Sequence, residues 1–126
     1  MKKILTLLLL AVLLTACSSK SLAPTDPKKT IDVRAGKEFK VVIESNPTTG
    51  YHWEIVKDSL DENLVQFVSN EYKSTSAPGL VGGGGVDIWT FKAVNPGEAM
   101  IVLGYYPPSN TPTEPERTET FNVNIK

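Results

Sequence analysis

Beyond residue 29 the apolar residues fall on alternate positions in short runs, and each run is cut off by Pro, Gly, Asn or Asp. A period of two sends successive side chains to opposite faces, which suits a half-buried strand and not a helix. Phe39, Val41 and Ile43 alternate with Lys40 and Glu44. Tyr51, Trp53 and Ile55 alternate with His52, Glu54 and Val56, and Phe121, Val123 and Ile125 with Thr120, Asn122 and Asn124. The run with Val86, Ile88, Trp89, Thr90 and Phe91 is rich in strand formers. Strands are therefore predicted over 30–33, 38–45, 51–56, 64–68, 86–93, 99–106 and 119–125, with continuation of the fourth through Tyr72 left open. Ala35-Gly36 and Asn95-Pro96-Gly97-Glu98 read as turns. In the connection 57–63, Ser59-Leu60-Asp61-Glu62 fits a capping box and predicts one helical turn. Seven short strands without a long helix predict an all-β fold, an antiparallel β-sandwich. A Trp on the third strand suits the immunoglobulin-like version, in which that residue packs between the sheets.

The N-terminus follows different rules. Met1-Lys2-Lys3 is a short basic start, and 4–14 is apolar except for Thr6. Thr15-Ala16 and then Cys17 complete the layout of a secretory signal, too short to span a bilayer as a permanent helix. Leu14-Thr15-Ala16-Cys17 resembles the bacterial lipoprotein signal. That resemblance implies cleavage before Cys17 and a lipid, such as palmitate, on it. The expected organisation is a signal peptide at 1–16, a lipidated Cys17 with a flexible tether at 17–29, and one domain at 30–126. The tether lacks apolar periodicity, and as a coil would reach about 20 Å. The expected location is the cell envelope, anchored to a bacterial membrane, periplasmic or surface-facing.

Cys17 is the only cysteine and His52 the only histidine among 126 residues. The exported domain thus has no internal disulfide, and no Cys–His, Ser–His or zinc arrangement can be assembled. An enzyme is not expected, nor a metal or other cofactor. The cluster Asp58, Asp61 and Glu62 reads as a solvated connection. Lys2 and Lys3 are the leader's only charges, so its removal takes the net charge from −1 to −3. Nucleic acid, which needs a basic face, is not an expected partner. A monomer is expected.

Three connections stand out. Asn46-Pro47-Thr48-Thr49-Gly50-Tyr51 joins the second and third strands. Pro47 fixes its own φ and pushes Asn46 out of the helical region, Gly50 permits a positive φ, and the threonines can bond locally to backbone. A stiff turn with exposed backbone follows. The connection 74–85 carries Leu80 and then Gly82, Gly83, Gly84 and Gly85. It is no phosphate cradle, since a strand follows and no Lys-Ser/Thr pair is present. It reads either as a loose linker or as a place where backbone approaches a partner closely. The third, Tyr105-Tyr106-Pro107-Pro108 through Thr118, is either a solvated loop or an aromatic-plus-proline contact surface. In an immunoglobulin-like sandwich all three fall at one end.

The three connections, taken in order, resemble those of the chagasin-like inhibitors of papain-type cysteine proteases, and the resemblance covers 30–126. The family implies a sandwich whose three loops wedge into the protease cleft, with a papain-like cysteine protease as partner. Its first loop has Asn-Pro-Thr-Thr-Gly-aromatic, here Asn46 to Tyr51. Its second is glycine-rich, implying Gly82, Gly83, Gly84, Gly85 and Leu80. Its third usually begins Arg-Pro-Trp. Here Tyr106-Pro107-Pro108 keeps the first proline and lacks the Arg and the Trp, and Tyr105 or Tyr106 is the candidate substitute. The rival reading is a cell-envelope lipoprotein whose loops hold a partner that is not a protease.

Overall fold

The computed structural model describes residues 22–76 and 83–126. Seven strands follow in order: β1 (Ile31–Val33), β2 (Glu38–Ser45), β3 (His52–Ile55), β4 (Val65–Ser74), β5 (Gly85–Ala93), β6 (Gly97–Tyr106) and β7 (Arg117–Ile125). They form two sheets, ordered β1-β7-β6-β3 and β2-β5-β4. Neighbours are antiparallel, apart from β1, which runs parallel to β7 with Ile31 opposite Val123. The antiparallel immunoglobulin-like sandwich thus holds, with its first strand as the exception. Periodicity could not set that direction, because it locates strands without pairing them.

The alternating residues meet between the sheets. Val41, Phe91, Ile101, Leu103, Phe121 and Val123 are buried there. Trp53 on β3 crosses the gap, and its indole N–H donates to the carbonyl of Glu44 on β2 at 2.8 Å. Farther from that bond, Phe39, Phe67 and Trp89 pack around Phe91, with ring centroids 5.8–6.4 Å from it.

Three local expectations change. The 57–63 connection forms turns and no helix. The Ser59 hydroxyl donates to the Val56 carbonyl at 2.6 Å instead of capping a helix, and Asp58 takes φ 59°. The fourth strand runs on to Ser74 although only Val65 along it is buried. It is an edge strand with a register shift between Phe67 and Ser69, so pairing with β5 holds it rather than an apolar face. Thr25, within the predicted tether, is bonded to the open edge of β2. Its N–H donates to the Val42 carbonyl at 2.7 Å, and its hydroxyl accepts from the Val42 N–H at 2.9 Å. Backbone pairing of this kind needs no apolar periodicity, so composition gave no sign of it.

Candidate functional site

The first connection is held by its own side chains. Pro47–Thr49 is one turn of 3-10 helix. The Asn46 carboxamide oxygen accepts from the Thr48 N–H at 3.3 Å and from the Thr48 hydroxyl at 2.6 Å. The Thr49 hydroxyl donates to the Asn46 carbonyl at 2.8 Å and accepts from the Tyr51 N–H at 3.3 Å. Gly50 closes the turn at φ 81°, in the left-handed region open to glycine. Pro47, Thr48, Thr49 and Gly50 are all exposed. The polar groups satisfy one another, leaving a pre-shaped tip.

The second connection rises beside the first, because Gly85 pairs with Ser45 on one side and with Ser74 on the other. The Gly84 carbonyl accepts from the Ser76 hydroxyl at 3.2 Å and from the Thr75 N–H at 3.4 Å. The described glycines are not equivalent. A side chain on Gly83 would collide with Ser76, and one on Gly85 with the Lys73 carbonyl and the Tyr72 ring. A Cβ on Gly84 would meet only the Ser45 carbonyl, at an ordinary 3.5 Å. The predicted contacts Leu80 and Gly82 lie outside the described residues, as does Cys17.

The third connection leans on the first. Pro108 packs against Gly50, and Tyr105 stacks on Tyr51 with centroids 5.1 Å apart and rings 20° from parallel. Tyr105 also packs on Trp53 at 4.8 Å. The Arg117 guanidinium sits 4.9 Å from the Tyr105 ring centre and 5.3 Å from that of Trp53, in cation–π range. Tyr105 is thus a half-buried platform, while Tyr106 stacks with exposed His52 at 6.1 Å. Past Pro108 the chain turns back, and Ser109, Thr111 and Thr113 share a groove with His52, Glu54 and Lys57 of the β3 side. Only the start of this connection therefore stands at the tip.

The predicted residues Asn46 to Tyr51, Gly83 to Gly85 and Tyr105 to Pro108 are gathered at one end of the sandwich. Sequence reasoning missed their supports. Arg117 was one; carrying the Phe121–Ile125 alternation back through Glu119 reaches it. Glu116 was another: hydrogen bonding to its carboxylate, with the repulsion of its charge, raises the pKa of the Tyr51 phenol. Asp87 and Ser45 sit under the loops. Burial raises the Asp87 pKa, and the hydrogen bond with Ser45 opposes that rise. His52 contacts Glu54 at 2.8 Å on the surface.

Known protein families match both the domain and the N-terminal segment. The model for the chagasin family peptidase inhibitor I42 matches residues 32–125. That for the prokaryotic membrane lipoprotein lipid attachment site matches residues 1–18. Amoebiasin-1 of Entamoeba histolytica is 34% identical over 108 residues, covering 84% of this chain and 99% of that protein. The crystal structure of the cysteine protease inhibitor EhICP2 from Entamoeba histolytica superposes with a TM-score of 0.62 at 28% identity, over 77% of this chain and 86% of that one. The structure of Leishmania mexicana ICP gives a TM-score of 0.53 at 30% identity, over 86% and 99%. With its domain matched almost from end to end, the chain belongs to the chagasin family of peptidase inhibitors, which are not enzymes.

Proposed function

We propose that the domain is a reversible, non-covalent inhibitor of papain-like cysteine proteases, and that Asn46–Tyr51, Gly82–Gly85 with Leu80, and Tyr105–Pro108 form its contact edge. The observation that carries this reading is the meeting of three connections at one pole, with Pro108 seated on Gly50 and Gly85 paired to Ser45. The pre-shaped turn at Pro47–Gly50 lies over the catalytic Cys and His of the protease. Attack needs reacting atoms about 3 Å apart and aligned, and a loop locked by its own hydrogen bonds withholds that alignment. The glycine backbone pairs in the groove that takes an extended substrate, as in strand addition. Gly84 supports this part, since its own fold leaves room for a side chain there. An interface of about 1,600 Å² is the standard size for such a complex.

The N-terminal match supports the second part of the reading: the leader 1–16 is removed and Cys17 carries the lipid that holds the domain to a bacterial membrane. Two or more acyl chains give stable anchoring, each buried CH₂ adding about 0.8 kcal/mol.

The test is titration of papain with the wild-type protein and with Gly84→Val. The wild type inhibits, and Gly84→Val weakens inhibition at least tenfold with an unchanged melting temperature. A folded wild type that leaves papain active at micromolar concentration overturns the reading. For the anchor, Cys17→Ser releases the protein from membranes, and retention of that variant shows another anchor.

A further inference from the structure

The path of the N-terminal segment across the sandwich carries a consequence for how the contact edge faces the membrane. Leu22 and Pro24 border a groove of about 420 Å³ together with Ser45, Asn46 and Gly84, at the foot of the first two loops. Thr25 is clipped to Val42, part-way down β2. Pro27 borders a smaller cavity with Val42 and Phe121, and Ile31 pairs with Val123 near the end of β7. The segment therefore runs from the loop pole toward the opposite pole, along the open edge of β2. It has a place to lie because β1 spans only Ile31–Val33, leaving the first half of β7 without a neighbour on that side.

We propose that residues 22–27 form a releasable strap that brings the lipid anchor to the loop pole, so that the contact edge is held close to the membrane. The proposal rests on lipidation of Cys17 for its membrane half, and on geometry alone for the strap. Leu22 lies five residue steps beyond Cys17, which at full extension span at most about 18 Å. While the strap is closed, the foot of the loops lies within that distance of the lipid. Opening it moves the attachment point to Thr30, in the far half of the sandwich beside the Ile31–Val123 pair, and lengthens the tether to about 45 Å at full extension. The loops are then free to turn away from the bilayer, which gives a soluble protease access. The two bonds between Thr25 and Val42 hold the closed state, helped by a turn in which Asp26 accepts from the Lys28 and Lys29 N–H groups at 3.0 and 3.1 Å. The strap also covers an edge that would otherwise be open to another strand.

Two measurements test the strap and the membrane orientation separately. In unlipidated full chain, spin labels on Cys17 and on Lys73→Cys, at the loop pole, give a shorter distance than labels on Cys17 and Lys37→Cys, at the far pole. Thr25→Pro, which removes both the N–H and the hydroxyl, erases that ranking. An equal or reversed ranking in the otherwise native strap overturns it, as does a ranking that survives Thr25→Pro. The lipidated protein is then placed on phosphatidylethanolamine–phosphatidylglycerol vesicles with a headgroup-bound energy acceptor. A fluorophore at Lys73→Cys is quenched at least twice as strongly as one at Lys37→Cys. Equal quenching in vesicle-bound protein overturns the orientation. Failure to float with the vesicles instead removes the lipid, and with it the membrane half alone.

Discussion

Pro108 occupies the space into which Gly50 would project a side chain. A Cβ on Gly50 would stand 3.2 Å from both Cβ and Cγ of the proline ring. The first and third loops are therefore fitted to each other, and the glycine is needed twice, for its φ of 81° and for the contact. Gly50→Ala strains the backbone and pushes the loops apart. The expected cost is about 1–2 kcal/mol in stability. Inhibition of papain should weaken about tenfold or more, read from thermal melts and inhibition constants on the same preparation.

Asn46→Ala deletes the acceptor shared by the Thr48 N–H and hydroxyl. The site is exposed, so loss of such a cap should cost no more than about 1 kcal/mol of stability. The larger effect falls on binding, because a loop no longer pre-shaped must be ordered on contact. Stopped-flow association with papain should show a weaker complex although Asn46→Ala melts within a few degrees of the wild type.

The two tryptophans should respond differently to loss of the indole N–H. That of Trp53 bridges the sheets to the Glu44 carbonyl, whereas that of Trp89 is buried without a partner among the described residues. Trp53→Phe removes a made bond and leaves an acceptor behind, while Trp89→Phe removes an unmet donor. In urea titrations Trp53→Phe should be the more destabilising by about 1–2 kcal/mol.

Asp87 supplies a pH dependence. Burial raises its folded pKa above the unfolded value of 3.8. Ionisation therefore disfavours the fold above the folded pKa, and the penalty fades as pH falls from the folded value to the unfolded one. The group is only half-buried, so solvent screens much of the effect. Asp87→Asn should melt a few degrees higher at pH 7, with the gap closing toward pH 3. A gap that widens on acidification would show that the carboxylate is stabilising.

Much of this fold is legible in the sequence because most of its strands have one wet face. Val41, Trp53 and Phe121 are buried where alternation put them, and the Pro47–Gly50 turn follows from its residues' backbone limits. What escaped lacks a periodic signal. β4 is exposed on both faces beyond Val65, the clip at Thr25 uses backbone groups, and the fold-back at 109–113 depends on a neighbour from β3. The candidate site was legible as three loops. Its supports were not, since Arg117 reaches Tyr105 and Trp53 only after β6, β7 and β3 have paired.

The bond from Trp53 to Glu44 joins the two sheets, which antibody domains link with a cystine. An indole–carbonyl pin is indifferent to reductants. A protease with a thiolate nucleophile works only while its sulfur is kept reduced. Surroundings reducing enough to arm such an enzyme can open a strained or exposed cystine, but they find no such staple in this domain.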